Sequence, residues 1–448
     1  MRPVILFWLC CLVVGAENET TDGYRGIWYS IGEGRDGPKY SGGLGTYPAN
    51  MVPMAAYDAA VETTFFVYGG TTASSPKDLQ IMIGSYHHPS GLVSRPTIIR
   101  DSGGFEDAHA NPSIVLAPDG HILVASATRH SFPGRIYRSR HPRDPRSFDI
   151  VHQGDVIAYP QVWHHAHTGF TMLHTRYVSG QRFLYSRNSR DGRSWTESVP
   201  FATFDGHYQN SASFPDGSIG TVFNYHPRGS DSRTDIFFLR TADGGRSWKT
   251  VEGQAIAVPL MSPDNPARIL DVDEESLIYL MDLAFDDRGR PLVLYLLSRS
   301  SRPGSPHRRA WHVRHWTGRG WTDLEVTAVD HNYDVACLLV DGKTWMVVGP
   351  SGPGPQPGMT GGEVVAWQSR DQGRTWRRQE LTRNSVRNHT YVRRAIPRAD
   401  GFVAFWADGD AASPGESNLY FLNAQGVVHR LPRMMTSDTA RPQVVGKD

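Results

Sequence analysis

Cysteine is scarce in this 448-residue sequence. Only three cysteines occur, and two of them, Cys10 and Cys11, lie in the apolar segment at the N-terminus. If that segment is removed, Cys337 is left alone and no disulfide can form within the chain. We therefore expect the core to be held by packing alone.

The sequence also lacks a net charge of either sign. Its 46 basic residues almost balance its 45 acidic residues, which leaves a formal charge of +1 at pH 7. This balance argues against a general electrostatic attraction to nucleic acid or to a membrane surface. No segment beyond the N-terminal one approaches membrane-spanning length. We expect a monomer that binds no nucleic acid and does not span a membrane.

The longest apolar run is at the N-terminus. Arg2 precedes the apolar residues Val4–Val14, and the small residues Gly15 and Ala16 follow. A basic residue, a short apolar run and a small-residue cleavage point together predict a secretory signal peptide over residues 1–16. We therefore expect secretion to the periplasm or the medium, with residues 17–448 forming a single domain.

Long helical patterns are few, whereas turn residues are plentiful, with 45 Gly and 30 Pro. The stretch from Asp107 to His130 contains two apolar runs of strand length, Ser113–Leu116 and Ile122–Ser126. Residues 118–120 between them read Pro-Asp-Gly, a turn sequence in which Pro presets φ and Gly accepts a positive φ. The stretch predicts an antiparallel hairpin.

A histidine stands just outside each open end of this hairpin. The residue before the first strand and the residue after the second lie at the same end, so His109 and His130 should face each other on one surface. Two imidazoles held there can act as base and acid near neutral pH. They can also be surface or structural histidines, and the residues alone leave both readings open.

The same hairpin pattern recurs along the chain. The seven predicted strand pairs are Met54–Tyr57 with Thr63–Tyr68, Ser113–Leu116 with Ile122–Ser126, Gln161–His164 with Phe170–His174, Ser211–Phe214 with Ile219–Phe223, Leu280–Phe285 with Leu292–Leu297, Val335–Leu339 with Thr344–Val348, and Tyr391–Ile396 with Phe402–Trp406.

A second kind of turn lies between several of these hairpins. Residues 241–248 and 369–376 fit the Asp-box pattern S/T-x-D-x-G-x-S/T-W, and residues 189–195 are a shorter copy. We interpret their Asp as a turn cap and their Trp as a side chain buried between sheets. Two hairpins give a four-stranded unit, which cannot bury both faces alone. The predicted fold is therefore all-β, a seven-bladed β-propeller of four-stranded antiparallel blades, closed by a strand near Tyr24–Tyr29.

Hairpin geometry also predicts which residues surround one mouth of the central channel. They are basic, aromatic or imidazole side chains in the main, which suit an anionic ligand and sugar rings. The set comprises His109 and His130 in blade two, Tyr159, Arg176 and Tyr177 in blade three, Tyr208, His226 and Arg228 in blade four, Arg299 in blade five, His331 in blade six, and His389, Arg393 and Asp408 in blade seven.

A family resemblance extends over nearly the whole mature chain. The sequence resembles secreted bacterial proteins with BNR-4 repeats, a group similar to propeller polysaccharide lyases such as the ulvan lyases and to relatives that cleave terminal rhamnose from glucuronic acid. The segments that carry it are GYRGIWY at 23–29, KYSGGLGTY at 39–47, DAHANP at 107–112 with its later His130, the unit from Tyr208 to Arg228, GGEV at 361–364 and NHTYVRR at 388–394.

The resemblance implies β-elimination on a uronate. His109 and His130 match the two histidines of the lyases, Tyr208 matches the tyrosine, and Arg228 matches the arginine that binds the carboxylate. Tyr177 with Arg176, one blade earlier, could fill the last two roles. The implied substrate is an anionic polysaccharide or oligosaccharide, and Tyr159, His226 and Arg393 are further expected contacts.

One position departs from the rhamnose-releasing relatives. Their catalytic histidine follows a TYP-like segment on the other face of the propeller, and Met51 occupies the matching place here. A thioether cannot transfer a proton, so the resemblance implies that any activity uses the face of His109.

Two other classes of function stay open. One is a glycoside hydrolase of the sialidase or rhamnosidase kind. Ordinary glycoside hydrolysis needs two carboxylates about 5–10 Å apart, and only Asp107 and Asp408 are predicted near the mouth. A sialidase would instead need three Arg, a Tyr–Glu pair and an Asp acid. A non-catalytic glycan-binding propeller would need neither acid nor base.

No cofactor is required by the predicted chemistry. A structural zinc could be held by His331 and Cys337 with His312 and His315 upstream, although a lone Cys beside apolar residues is more often a core residue. A structural calcium is a further alternative.

Overall fold

The computed structural model describes residues 17–34, 37–44, 48–101, 109, 111–127, 133–154, 157–204, 206–229 and 231–446. The predicted signal peptide, residues 1–16, lies outside these ranges. Within them the regular structure is β-strand apart from a short 3-10 helix, η1, at Pro48–Asn50. No helix of the described residues is long and apolar enough to cross a membrane.

The strands form seven sheets. The first sheet is built mainly from β1 (Gly26–Gly34), β2 (Gly37–Gly42), β3 (Ala55–Asp58), β4 (Thr63–Gly70), β5 (Gln80–His87), β6 (Leu92–Ser94) and β7 (Thr97–Asp101). Sheet two contains β8 (Pro112–Leu116), β9 (Ile122–Ser126), β10 (Arg135–Ser139) and β11 (Phe148–Gln153). Sheet three contains β12 (Ala158–His165), β13 (Gly169–Val178), β14 (Gln181–Ser189) and β15 (Val199–Ala202).

The remaining sheets follow in chain order. Sheet four contains β16 (Gln209–Ser213), β17 (Ile219–Tyr225), β18 (Thr234–Thr241), β19 (Trp248–Lys249), β20 (Ala255–Ile256) and β21 (Arg268–Leu270). Sheet five contains β22 (Leu277–Phe285), β23 (Pro291–Ser298), β24 (Arg309–Trp316) and β25 (Trp321–Val329). Sheet six contains β26 (Cys337–Asp341), β27 (Thr344–Gly352), β28 (Glu363–Ser369) and β29 (Arg377–Glu380). The last segment runs through β30 (Asn388–Ala399), β31 (Phe402–Gly409), β32 (Gly415–Ser417), β33 (Leu419–Leu422), β34 (Val428–Arg430), β35 (Thr439–Ala440) and β36 (Gln443–Val445).

The seven predicted hairpins are confirmed. Each predicted pair of runs forms an antiparallel pair, from β3 with β4 to β30 with β31. Sheets two, three, five and six have the four strands predicted, whereas the first, fourth and seventh have nine, six and five. The larger first sheet arises because strands from both ends of the chain enter it.

The sheets are arranged in a closed ring. The first strands of the seven hairpins, β3, β8, β12, β16, β22, β26 and β30, each contact the next, and β30 contacts β3. β1 pairs with β32 from Gly26↔Ser417 to Trp28↔Gly415, and β35 pairs with β6. This closed ring of sheets is a β-propeller, and strands from the two ends of the chain join in its first sheet.

The segment around η1 fills the centre of the ring. It contacts β12, β16, β22 and β30. The side-chain amide of Asn210 donates to the carbonyl of Ala49, and that of Gln161 donates to the carbonyl of Asn50 at 3.1 Å. Because a buried carbonyl without a donor is costly, these amides fix the segment in place. Met51 is fully buried there, in the same apolar cluster as Tyr208.

Arg393 lies inside the ring and not at its mouth. Its side chain is 2% exposed. Its guanidinium donates to the carbonyls of Val392 (2.8 Å), Met281 (2.9 Å) and Ala336 (2.7 Å), which joins sheets seven, five and the start of six. The prediction that Arg393 contacts substrate is therefore wrong, because the N–H groups that would bind a ligand already serve main-chain carbonyls.

In sheets three, four and six an aspartate caps the turn from the third to the fourth strand. Between β18 and β19, the carboxylate of Asp243 accepts from the N–H groups of Arg246 (3.0 Å) and Ser247 (2.9 Å). Trp248 is buried and stacks on Phe201, with 4.8 Å between ring centroids. The burial expected of Trp195 and Trp376 is only partial. The aspartate and tryptophan side chains of these turns therefore have a structural role.

Replacing the buried guanidinium should destabilise the ring. Arg393→Met keeps the apolar bulk but removes the charged donor of three buried carbonyls, so the free energy of unfolding should fall by about 3 kcal/mol. Urea denaturation followed by tryptophan fluorescence measures it. Arg246→Met, at an exposed position, is the control and should change it by less than about 0.5 kcal/mol. Equal values for the two variants would contradict the assignment.

Candidate active site

The candidate site is centred on Tyr208, the residue immediately before β16. Its ring is 6% exposed and packs edge-on against the ring of Tyr159, with 5.6 Å between centroids. The ring of Tyr159 in turn meets that of His109 at 6.3 Å. Sheets two, three and four thus bring together three of the predicted site residues, each at the start of its sheet.

Two guanidinium groups flank Tyr208. The Cζ atoms of Arg182 and Arg233 lie 4.4 Å and 4.8 Å from the centroid of its ring. Both arginines are buried. Cations at these distances are attracted to the ring face. We call Tyr208, Tyr159, His109, Arg182 and Arg233 the Tyr208 cluster.

Arg233 also connects the cluster to sheets five and six. Its Cζ lies 4.2 Å from the ring centroid of Tyr279, and its Nη2 donates to the hydroxyl of Tyr333 at 2.8 Å. A small cavity of about 20 Å³ lies among Tyr208, Arg233, Tyr279 and Asn50. That volume holds about one water, so the cavity is too small to admit a sugar ring.

His226 stands behind Tyr208, fully buried. Its Nδ1 accepts from Arg182 at 2.5 Å, so its Nε2 carries the proton and donates to Asn224 Oδ1 at 3.0 Å. Burial, together with the charges of Arg182 and Arg233, holds the pKa of His226 well below its usual value. The expected contact of His226 with substrate is therefore corrected to a supporting contact, because both ring nitrogens are in use.

Arg228 is not one of the two guanidinium groups over Tyr208. Its side chain is 55% exposed and pairs with the carboxylate of Glu274 at 2.7 Å. It also donates to the carbonyl of Glu274 at 2.7 Å. The arginines over the tyrosine are Arg182 and Arg233, which the sequence analysis did not identify.

A positional signal for those two arginines exists in the sequence. The second strand of a hairpin ends at the mouth, so the third strand must begin there. Arg182 is the second residue of β14 and Arg233 immediately precedes β18, and both strands are third in their sheets. Arg182 and Arg233 were not predicted because only the ends of the first two strands of each sheet were compared.

The surroundings of Tyr159 keep its hydroxyl protonated. Burial, with the neighbouring phenols of Tyr208 and Tyr177, raises the pKa of Tyr159 well above its usual value. Its φ is 51°, in the left-handed region, at an irregularity in the pairing of β12 with β13. Non-glycine residues in that region are uncommon and often belong to functional sites.

The other predicted contacts of blade three lie further out. Tyr177 is 39% exposed and its hydroxyl bonds that of Tyr159. The guanidinium of Arg176 lies over the ring of Tyr185, 5.2 Å from its centroid. His130 and Asp107 lie outside the described residues, so the facing pair of His109 and His130 stays a prediction.

The expected zinc ligands are engaged elsewhere. Cys337 is buried in apolar surroundings, which raises the pKa of its thiol to about 12. His331 is bonded to the Thr360 hydroxyl, at 3.1 Å, and His315 faces Asp286. The part of the chain that is described contains no group of three His, Cys, Asp or Glu residues that could hold a metal ion.

Comparison with known proteins places this architecture in a family. Residues 76–329, more than half of the chain, match the model of the BNR repeat-containing family, BNR_4. The chain belongs to the BNR repeat-containing family. No curated protein matches the sequence.

Solved structures similar to this BNR-repeat protein include polysaccharide lyases. An ulvan lyase of polysaccharide lyase family PL25 superposes with a TM-score of 0.71 at 15% identity, covering 91% of this chain and 96% of that one. The same type of enzyme bound to -[GlcA(1-4)Rha3S]- gives 0.70 at 15%, with the same coverage. The polysaccharide lyase Uly1 gives 0.61 at 12%, covering 92% and 99%. At these identities the likeness establishes the propeller fold.

Burial of His226 makes the free energy of unfolding depend on pH. The pKa of His226 is lowered in the folded state, so below about pH 6.5 the unfolded chain binds a proton that the folded chain does not. The contribution of His226 to the free energy of unfolding is therefore fully present above that pH and is lost as the pH falls. His226→Asn should therefore reduce the slope of unfolding free energy against pH by about 1.4 kcal/mol per pH unit below pH 6.

Urea denaturation between pH 7 and pH 5 measures that slope. His141→Asn, at an exposed position, is the matched control and should keep the wild-type slope. A slope unchanged in the His226 variant would show that this histidine is protonated in the folded protein at these pH values.

Proposed function

We propose that the protein is a polysaccharide lyase that cleaves a uronate-containing polysaccharide or oligosaccharide by β-elimination at the Tyr208 cluster. The observation that carries the proposal is the placement of one phenol between two buried guanidinium groups, with a second phenol and an imidazole beside it. This set of groups supplies what β-elimination needs, namely positive charge for a carboxylate and proton carriers on either side of it.

The first requirement is to make the proton on C5 acidic. A uronate carboxylate resists further negative charge at C5, so the charge must be neutralised, and arginine is suited to this because its planar fork binds carboxylates. Arg182 and Arg233 are the guanidinium groups held at Tyr208, and each is fixed by a second contact, to His226 and to Tyr333 respectively. We assign them to electrostatic stabilisation of the developing enolate.

The second requirement is a base at C5 and an acid at O4. The base removes the C5 proton, the electron pair forms the C4=C5 double bond, the C4–O4 bond breaks, and O4 takes a proton from the acid. We assign the base role to Tyr208, since a phenolate is stabilised by adjacent positive charge. His109 and Tyr159 are the candidate acids, with His130 as a further candidate.

The more exposed groups are proposed to bind sugars further from the scissile bond. Arg176 and Tyr177 lie at the end of β13, and Arg228 lies beyond β17, all towards the same mouth as the Tyr208 cluster. The overall likeness to lyases, one of them bound to a glucuronate-rhamnose sulfate, supports a uronate-containing ligand. The apolar N-terminal run supports secretion.

We further infer that each of the seven sheets is one blade and that the aspartate-capped turns are Asp-boxes. The closed series of contacts among the first strands supports the blade number. The hydrogen bonds of Asp243, and the matching bond from the Thr375 N–H to Asp371 at 2.9 Å, support the turn assignment.

The reaction class is tested by the chromophore that β-elimination creates. Incubation of the protein with ulvan, gum arabic or other uronate-rich glycans should raise the ultraviolet absorbance, because the new C4=C5 bond is conjugated with the carboxylate. The carboxyl-reduced glycan is the control and should give no change. New reducing ends without that absorbance would favour a glycoside hydrolase, and binding without any cleavage would favour a glycan-binding propeller.

The role of Tyr208 is tested by removing its hydroxyl alone. Tyr208→Phe keeps the ring between the two guanidinium groups, so the melting temperature should stay within a few degrees. If the hydroxyl transfers a proton, kcat should fall by about a hundredfold or more, with KM little changed. Tyr185→Phe, which also keeps a ring beneath an arginine, is the matched control. Wild-type turnover in the Tyr208 variant would exclude it as a proton carrier.

A further inference from the structure

A groove runs along β29, the outer strand of sheet six. One cavity in it has a volume of about 610 Å³ and is lined by Gln368, Arg377, Arg378, Gln379, Glu380 and Arg383. A second, of about 390 Å³, shares Arg378, Glu380 and Arg383 and continues past residues 353–355. The two cavities therefore form one continuous groove on the outer rim of the ring, separate from the Tyr208 cluster at its mouth.

Positive charge is concentrated at this groove. Residues 368–383, the segment that carries this groove, contain five arginines and two acidic residues, an excess of three positive charges, whereas the whole chain has a formal charge of +1. The rest of the protein is thus slightly negative. Three of the five arginines, Arg377, Arg378 and Arg383, line the groove itself. A local excess on a nearly neutral protein attracts an anionic ligand to one place and not to the whole surface.

The arginines of the groove outnumber their carboxylate partners. Glu380 accepts from Arg378 at 2.6 Å and from Arg383 at 2.9 Å. The hydrogen bond from Arg378, with its charge, lowers the pKa of Glu380. Glu380 is therefore ionised, and Glu363, the second carboxylate of the lining, accepts from Thr382 and Ser385. With the exposed Arg377, the lining holds three guanidinium groups against two carboxylates.

The groove also offers neutral hydrogen-bonding groups. β29 is the last strand of its sheet among the described residues, so its outer N–H and C=O groups face the groove. The amides of Gln368 and Gln379 lie in the same lining. Sugar hydroxyls can bond to such groups.

We propose that this groove binds a uronate-containing polysaccharide chain at a second, non-catalytic site. Arg377, Arg378 and Arg383 would contact carboxylates, and the amides and strand edge would contact hydroxyls. The side chains that line the larger cavity, all described, include no aromatic ring on which an unpaired nucleic-acid base could stack, which argues against single-stranded nucleic acid as the ligand. The proposal rests on the proposed function for the class of ligand only.

The test is native affinity electrophoresis of the full chain in gels that contain polygalacturonate. The double variant R377Q/R378Q is compared with R193Q/R246Q, which removes two exposed arginines from the turns of sheets three and four. Polygalacturonate should retard the wild type and the control equally, and the apparent Kd of R377Q/R378Q should be about tenfold higher. Carboxyl-reduced polygalacturonate should retard none of them. Circular dichroism and melting temperature check that all variants fold.

Two further measurements separate this site from the active site. R176Q/R228Q, which removes two arginines of the mouth, should lose less retardation than R377Q/R378Q, and R377Q/R378Q should keep wild-type turnover of a short oligosaccharide. Unchanged retardation of R377Q/R378Q, or equal loss in R193Q/R246Q, would overturn the proposal. A greater loss of retardation in R176Q/R228Q than in R377Q/R378Q would place the binding at the mouth instead. Equal retardation by duplex DNA that is lost in R377Q/R378Q would overturn the choice of polysaccharide. If retardation depends on Arg377 and Arg378 but the protein has no lyase activity, only the proposed function is contradicted.

Discussion

Closure of the ring is the constraint on which the rest of the structure depends. The described structure contains no disulfide, and Cys337 is a free, buried thiol. Closure is instead achieved by pairing β1 with β32 and β35 with β6, and by packing β30 against β3. Only in a closed ring do the first strands of sheets two to six converge, which brings His109, Tyr159, Tyr208, Tyr279 and Tyr333 to one end.

The segment around η1 and Arg393 complete this arrangement from the inside. Amides from sheets three and four hold the carbonyls of the segment, and the guanidinium of Arg393 joins three sheets. With its centre occupied, the ring presents a shallow mouth and not an open channel. The Tyr208 cluster therefore rests on a packed base, and a polymer can lie across it without entering the ring.

The sequence predicted the hairpins because turn residues determine them locally. Pro118-Asp119-Gly120 specifies a turn whatever surrounds it, and His109, Tyr159 and Tyr208 were found because a hairpin fixes which end of a strand faces the mouth. The direction in which a side chain points depends instead on contacts with residues that are distant in the sequence. Arg393, within β30, and His226, just beyond β17, point into packed sheets. Arg228 pairs with Glu274, 46 residues away. Arg182 and Arg233 were missed because the third strands were not considered.

The central claim is that the Tyr208 cluster breaks a glycosidic linkage by elimination and not by attack of water. The most direct measurement is the mass of the products formed from a uronate-containing glycan in water enriched in oxygen-18. Elimination leaves the original oxygen on the leaving sugar and adds none to the unsaturated uronate, so the products should carry no label from the cleavage step. Products whose summed mass exceeds that of the glycan by one oxygen-18 water for each bond cleaved would show hydrolysis and contradict this account.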